Sequence, residues 1–306
     1  MSMRRGVALG VIAIVVISLL LMIVLSVAPT RGNKIALIPL NGSIAGTQQS
    51  GLFGSTGITP QLVRAYLNKA KQDTAVKAVV LYVDSPGGTV AASQEIAAMI
   101  RSFKQKTGKP VVVSMGDMAA SGGYYISVYA DKIVANPGTT TGSIGVAMEI
   151  TNISGLLDKL GIDVRTITSP EGGYKDIGNL PDAEIQEMCD LLYDEFIAAI
   201  VEGRGLAESE VRLIATGQPY TGQQAKQLGL VDELGSLDDA LYLAGNLAGI
   251  QTFQVDWYGT ASTLDKLLGL LTKAEQLLQF RVTDEQLLLL KALEGWQAVP
   301  RYQANI

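Results

Sequence analysis

A serine followed by two glycines stands between an apolar strand pattern and an apolar helical pattern. The segment is Pro110-Val-Val-Val-Ser-Met-Gly-Asp-Met-Ala-Ala-Ser-Gly-Gly-Tyr-Tyr-Ile126, and the serine is Ser121. Backbone N–H groups at the start of a helix have no acceptor within the helix, so they are free to bind a negatively charged oxygen. This arrangement suits a nucleophilic serine with an oxyanion site beside it. The alternative is that Ser121 only caps the helix, a position that serine favours for its own sake.

The sequence contains no histidine, which limits the bases that could activate a serine. A Ser-His-Asp triad, a Cys-His dyad and a histidine-ligated metal site are therefore excluded within this chain. The remaining bases are carboxylates and lysines, and a lysine serves only if burial lowers its pKa towards neutrality. Lys175 follows Gly-Gly-Tyr in a loop-like stretch, where a lysine is usually just solvated. Periodicity alone does not choose among the lysines.

Three further features have both a chemical and a structural interpretation. Gly87 and Gly88 follow a buried strand pattern, and they either admit close approach of a substrate carbonyl or simply make the turn. Ser143 stands in Thr-Gly-Ser-Ile-Gly and is either functional or an ordinary residue at a strand end. The single cysteine, Cys189, excludes an intrachain disulfide and is interpreted as a core thiol of a helix rather than a reactive one.

Alternating strand and helix patterns position these residues. A near-continuous apolar run at 76–84 is typical of a buried parallel strand, and a helical pattern covers 89–106. The next strand leads to Ser121, so both glycine-containing turns fall at the carboxyl ends of successive strands, where the sites of α/β proteins collect. Further patterns predict helices at 59–72, 152–160, 181–201, 209–216 and 237–247, and strands at 34–40, 131–135, 163–168 and 252–257.

The N-terminus carries a candidate membrane anchor. Arg4 and Arg5 precede an uncharged apolar run at 7–28, which is long enough to cross a bilayer as a helix. The cationic flank predicts a cytoplasmic N-terminus, with the rest of the chain on the extracytoplasmic side. A cleaved signal peptide is the competing interpretation, but the apolar core of a signal peptide usually spans about 7–15 residues. A retained single-pass anchor in the cell membrane is therefore favoured.

Composition and pattern also set the domain organisation and the partners. The 306-residue chain has a net charge of -5 and no basic cluster beyond its first residues, so nucleic acid is not an expected partner. We predict a cytoplasmic N-terminus, anchor and linker at 1–33, one α/β domain at 34–259 and a leucine-rich helical tail at 260–306. The apolar residues of the tail could face a neighbouring subunit, the membrane surface or the domain itself.

Five motifs in order give the sequence a family resemblance. They are Asp84-Ser-Pro-Gly-Gly88, Ser114-Met-Gly-Asp-Met-Ala-Ala-Ser-Gly-Gly-Tyr-Tyr125, Thr141-Gly-Ser-Ile-Gly-Val146, Gly173-Tyr-Lys-Asp176, and Tyr220-Thr-Gly-Gln-Gln-Ala with Gly229-Leu-Val-Asp232. Over 34–247 the chain resembles the short, SppA-type signal peptide peptidases, which are membrane-anchored Ser-Lys proteases of peptidase family S49 in the ClpP/crotonase-like superfamily. One departure is that no basic residue follows soon after Lys175.

The resemblance implies a fold, a reaction and a set of site residues. The fold is a ClpP/crotonase-like spiral of βαβ units, and the subunits form homo-oligomeric rings or domes whose grooves a neighbour can complete. Ser121 matches the nucleophile, Lys175 the general base, and Ser143 the serine that orients that lysine. Gly88 matches a donor of the oxyanion hole, with the N–H of Gly122 as the second donor. No metal or cofactor is implied, and the substrates are cleaved signal peptides and other small or unfolded segments.

Other functions fit parts of the pattern. A related membrane protease of the ClpP class, linked to stomatin or acting on different membrane proteins, would differ only in its substrates. A catalytically inactive scaffold of this fold would leave Ser121 as a helix cap. A crotonase acting on acyl-CoA is disfavoured by the anchor, by the Ser/Lys pair and by the lack of an adenine-binding feature.

Overall fold

The computed structural model describes residues 32–47, 49–51, 54–172 and 180–259. The strands are β1 (Lys34–Asn41), β2 (Gln49–Gly51), β3 (Gly54–Thr56), β4 (Val76–Ser85), β5 (Val111–Ala120), β6 (Lys132–Ala135), β7 (Thr140–Gly142), β8 (Pro219–Thr221), β9 (Glu233–Leu234) and β10 (Gln254–Trp257). The helices are α1 (Pro60–Gln72), α2 (Val90–Thr107), α3 (Gly122–Tyr125), α4 (Ser154–Lys159), α5 (Asp182–Arg204), α6 (Glu208–Ile214), α7 (Gly222–Gln227) and α8 (Leu237–Leu247).

A largely parallel sheet organises the domain. Its main path runs β10-β1-β4-β5-β6-β9, and every neighbouring pair along this path is parallel. β5 pairs with β6 through Val112–Met115 and then with β7 through Met118–Ala120. β7 in turn pairs antiparallel with β8, while β2 and β3 form a separate hairpin. The change of partner along β5 brings the end of β5 beside the end of β7.

The central strands are buried on both faces, which explains their near-continuous apolar sequences. On one face, Leu37, Val80 and Val112 pack with the α8 residues Ala240 and Ala244. The opposite face carries the larger core, which includes these residues from β1, β4, β5, α1, α2 and α5: Ile38, Leu81, Val113, Val63, Ile96, Phe196 and Ile200. The helices on both sides therefore hold the sheet rigid beneath its carboxyl ends.

Local sequence signals set several helix ends. Thr59 caps α1, since its hydroxyl oxygen accepts the N–H of Leu62 at 3.2 Å, and Pro60 fills the first helical position. Gly108 ends α2 in the left-handed conformation with φ 65°, which glycine adopts without a steric penalty. These boundaries agree with the predicted helices to within one or two residues.

Three predictions are corrected by the structure. The strand predicted at 163–168 is wrong, because residues 162–169 have no regular secondary structure. Val164 and Ile167 are 68% and 96% exposed, and no strand of the described residues lies beside them to complete the hydrogen bonding. The apolar pattern after Ser121 predicts a helix to Ala130, but α3 ends at Tyr125 and turns follow. Cys189 is half-buried rather than part of the core.

Within the described residues, no helix combines the length and the apolar character needed to cross a bilayer. The predicted anchor at 7–28 and the predicted tail at 260–306 lie outside the described residues. The division into anchor, domain and tail therefore stays a prediction.

Candidate active site

Ser121 occupies a strained turn between β5 and α3. Its backbone has φ 51° and ψ −120°, a region that residues with a Cβ rarely adopt. The N–H of Ser121 donates to the carbonyl oxygen of Gly142 at 2.8 Å, and its own carbonyl oxygen accepts the N–H of Tyr125 at 2.9 Å. Although Ser121 stands at the N-cap position, its side chain makes no capping hydrogen bond. The helix-cap interpretation therefore does not explain this serine.

The turn after β4 packs directly against the Ser121 turn. Gly87 has φ 102°, and a Cβ there would lie 2.7 Å from the nitrogen of Gly122 and 2.9 Å from Cβ of Ser121. A Cβ at Gly88 would lie 1.9 Å from the carbonyl oxygen of Ile44, which pairs with Gly88 in an isolated parallel bridge. Both glycines are required, because a side chain at Gly87 would push the two turns apart and one at Gly88 would collide with the backbone of Ile44.

Two backbone N–H groups beside Ser121 have no acceptor in the described part of the chain. One belongs to Gly122, the first residue of α3, where an N–H has no partner within the helix. The other belongs to Gly88, whose nitrogen would lie 3.2 Å from a Cβ at Gly122. Both glycines line the same small cavity as Ser121. This is the composition of an oxyanion hole, in which preorganised donors surround the position of a developing negative charge.

The cavity beside Ser121 is small and mostly apolar. Its volume is about 30 Å³. Tyr125 and Phe196 pack together at one side, with ring centroids 4.9 Å apart and ring planes tilted by 57°. Burial raises the pKa of the Tyr125 phenol above its ordinary value, and the nearby Glu195 carboxylate raises it further. The remaining lining consists of Gly88, Val90, Ser93, Gly122, Gly145, Val146 and Leu192.

An open groove of about 310 Å³ adjoins Ser121 and also reaches Ser143. Ser143 follows β7 and has φ 50°, close to the value at Ser121. Its N–H donates to the carbonyl oxygen of Gln218 at 3.1 Å, and its hydroxyl donates to the carbonyl oxygen of Gly217 at 3.2 Å. The structure thus brings together four of the five predicted site residues, namely Ser121, Ser143, Gly88 and Gly122.

The fifth predicted residue, Lys175, lies in the stretch 173–179, outside the described residues. The structure therefore does not test its position relative to Ser121. In the described ranges, no group of three or more His, Cys, Asp and Glu side chains is suited to hold a metal ion.

Comparisons with known proteins give the family. The family model "Peptidase family S49" matches residues 103–251. The Synechocystis protein "Putative protease slr0021" is 38% identical over 231 residues, which make up 73% of this chain and 78% of that protein. The chain belongs to peptidase family S49. The Enterococcus faecium protein "Putative signal peptide peptidase SppA" is 42% identical over 216 residues, or 68% of this chain. The matched part spans only 62% of the length of that relative.

The fold of this S49 chain is the ClpP-like α/β fold. A second family model, "Clp protease", matches residues 51–141. A solved structure of a mutant 1510-N membrane-bound stomatin-specific protease, in complex with a substrate peptide, aligns with a TM-score of 0.50. The alignment covers 80% of this chain and all of that one at 18% identity. The expected fold class is therefore confirmed at this level.

Several residues that shape the S49 site gave no sequence signal of their own. Ile44 clamps the Gly88 turn from a loop that reads only as polar and glycine-rich. Leu192 and Phe196 reach the cavity from α5, where their apolar spacing indicates only a helix face packed on the core. Only a contact map would have identified these residues, because each is far from Ser121 in the sequence.

Proposed function

We propose that this chain is a serine endopeptidase in which Ser121 is the nucleophile and Lys175 the general base. The observation that carries the proposal is the strained turn at Ser121, whose hydroxyl caps nothing and which stands beside two unpaired N–H groups. Strain that serves no folding purpose is typical of functional positions. Membership of family S49 and the absence of histidine both favour a lysine base.

The first step is attack on the scissile carbonyl. The neutral amine of Lys175 accepts the proton of the Ser121 hydroxyl while the serine oxygen bonds to the carbonyl carbon. A neutral amine has one lone pair and two N–H donors, so its lone pair must be aimed. The hydroxyl hydrogen of Ser143 is engaged by Gly217, which leaves the Ser143 oxygen to accept one N–H of the lysine. That bond would turn the lysine lone pair towards Ser121.

The second step expels the leaving group. The carbonyl oxygen becomes an oxyanion that accepts the N–H groups of Gly88 and Gly122, each worth about 10²–10³ in rate. When the C–N bond breaks, the protonated Lys175 returns the proton to the departing amine. Water then attacks the acyl-enzyme with Lys175 again as the base, which releases the second peptide and restores Ser121.

The substrates we propose are remnant signal peptides and other small or unfolded membrane-associated peptides, cleaved outside the cytoplasm. The name of the Enterococcus relative supports this substrate class. The apolar run at 7–28 supports anchoring as a single-pass helix with a cytoplasmic N-terminus. An open groove lined largely by small residues around Ser121 is consistent with an extended peptide.

Homo-oligomerisation is part of the same proposal. No residue from 147 to 172 is buried, and α4 contributes nothing to the core. Concentrated exposed apolar surface is typical of an interaction site, and a second copy of the chain would cover it. We call the segment 147–172 the arm. Its exposed large apolar residues are Ile150, Ile153, Leu156, Leu160, Ile162, Val164 and Ile167.

Labelling with a serine-directed activity probe tests the proposed chemistry. We expect the probe to modify Ser121 in the wild-type protein, as mapped by mass spectrometry, and to leave Ser121→Ala and Lys175→Ala unlabelled. The same two variants should fail to cleave a fluorogenic peptide that the wild type cleaves. Ser209→Ala and Lys226→Ala, at exposed positions outside the site, are the matched controls. Retained cleavage by either dyad variant would contradict the proposal.

A further inference from the structure

Tyr220 lies directly behind the two serines of the candidate active site. It is paired with Thr141 across β7 and β8, and only 7% of its surface is exposed. Its ring packs against Gly142, where a Cβ would stand 2.7 Å from ring atom Cδ2. Gly142 precedes Ser143, and its carbonyl oxygen accepts the N–H of Ser121 at 2.8 Å. The ring therefore supports the residue that links both serines.

The hydroxyl of Tyr220 fastens the segment 214–218. It donates to the carbonyl oxygen of Ile214 at 2.7 Å and accepts the side-chain N–H of Gln218 at 2.8 Å. The same segment supplies both acceptors of Ser143, which are the carbonyl oxygens of Gly217 and Gln218. One hydroxyl thus binds the backbone at the start of this segment and the Gln218 side chain at its end, and the segment in turn fixes the backbone and the side chain of Ser143.

We propose that Tyr220 is a positioning residue for the Ser-Lys reaction and acts through Ser143. The inference rests on the proposed function, in which Ser143 aims the lysine lone pair. Tyr220 itself does not line the cavity or the groove beside Ser121. Loss of its hydroxyl releases Gln218 and leaves the carbonyl oxygen of Ile214 without this donor. The segment that carries the acceptors of Ser143 then loses two hydrogen bonds and is held less firmly, although the N–H of Gly217 still donates to the carbonyl oxygen of Ile144 at 2.9 Å. The ring can still pack on Gly142.

A double-mutant cycle on the full-length protein tests this role. Tyr220→Phe, Ser143→Ala and the combined variant are compared with the wild type for kcat and KM on a fluorogenic peptide. We expect Tyr220→Phe to lower kcat about tenfold with little change in KM, and to have almost no further effect once Ser143 is alanine. If Tyr220 acts through Ser143, its substitution has no effect once Ser143 is alanine. General loosening of the fold would instead lower activity whether residue 143 is serine or alanine.

Tyr129→Phe is the matched control, since it also removes one bonded hydroxyl, which contacts Glu202 away from the site. Thermal unfolding of each variant shows whether a loss of activity comes from a less stable fold or from a displaced Ser143. A Tyr220→Phe variant with wild-type kcat, or equal losses in both backgrounds, would overturn the positioning role. If the wild type itself does not cleave the peptide, the proposed function fails and the role of Tyr220 fails with it.

Discussion

Ser121 and Ser143 leave neighbouring strands at the same level of the sheet. The last pair in the register of β5 and β7 is Ala120 with Gly142, and the two serines come next in each strand. Their φ angles are 51° and 50°, and no other residue except glycine has a positive φ in the ranges that the structure describes. Such backbone costs about 1–3 kcal/mol per residue. Two adjacent strand ends thus each carry a serine with a positive φ, which fits the roles proposed for both hydroxyls.

Substitution of Ser121 should separate activity from stability. We expect Ser121→Ala and Ser121→Gly both to abolish cleavage. Glycine relieves the positive φ and alanine does not, so the glycine variant should be about 1 kcal/mol more stable than the alanine variant. Chemical denaturation measures this difference. Ser102, in the middle of α2, is the control, because there glycine should be less stable than alanine by a similar amount. If the glycine variant were less stable than the alanine variant at position 121 as well as at position 102, backbone strain at Ser121 would be refuted.

Gly88→Ala should impair catalysis more than binding. The new Cβ would lie 1.9 Å from the carbonyl oxygen of Ile44, so the turn must shift and carry the Gly88 N–H with it. We expect kcat to fall about 10²–10³-fold, the usual loss for one oxyanion donor. Gly138→Ala is the control, since a Cβ at Gly138 meets nothing within 4 Å. A Gly88→Ala variant with normal kcat would exclude this N–H from the oxyanion site.

Cleavage should increase with pH from neutral to alkaline conditions. Only the neutral amine of Lys175 accepts the serine proton, and raising the pH populates that form. The measurement is kcat/KM across this range, with circular dichroism at each pH to show that the fold persists. Lys175→Arg should stay inactive throughout, because a guanidinium does not deprotonate in proteins. A flat wild-type profile would argue against a lysine base.

The sequence predicted the parts of the fold that depend on local signals. The buried run of β4, the capped α1 and the glycine turns at Gly88 and Gly122 all follow from residue types within a few positions of each other. The absence of histidine is a matter of composition alone, and it restricts the base to a carboxylate or a lysine. The pairing of β5 with β7, which juxtaposes the two serines, joins residues about twenty positions apart and has no local signature.

Long-range contacts account for what the sequence did not predict. Residues 163–168 are rich in β-branched residues, which favour strands, but this composition does not provide a neighbouring strand, and the segment stays irregular. The cavity wall at Phe196 depends on how α5 crosses α3, which periodicity does not specify. The support of Ser143 by Tyr220 likewise appears only when 214–221 is placed against β7.

Charges placed on the arm should weaken assembly. Leu156 and Leu160 are 57% and 63% exposed, so aspartate at both positions leaves the core of the domain intact. If a second copy covers the arm, the double variant should have a lower molar mass by light scattering, because buried unpaired charges are costly. Leu213→Asp, at a residue of α6 that is 79% exposed, is the control. An unchanged molar mass of the double variant would show that the arm is not the interface.

Peptides with a small residue before the scissile bond should be the preferred substrates. The cavity beside Ser121 holds about 30 Å³, whereas one water molecule requires about 10–15 Å³ by the same measure. The cavity is therefore better matched to a methyl group than to a leucine or phenylalanine side chain. We expect a peptide with alanine at this position to be cleaved about 10–200-fold faster than its phenylalanine counterpart, as mapped by mass spectrometry.

Phe196→Ala should relax this preference, since it removes the ring that packs against Tyr125 and opens the cavity wall. The truncation also costs about 3–5 kcal/mol of folding stability, so Phe196→Leu serves as the milder variant and should shift the preference in the same direction. Leu213→Ala, on the exposed face of α6, should leave the preference unchanged. Equal cleavage of the alanine and phenylalanine peptides by the wild type would mean that the substrate side chain binds elsewhere.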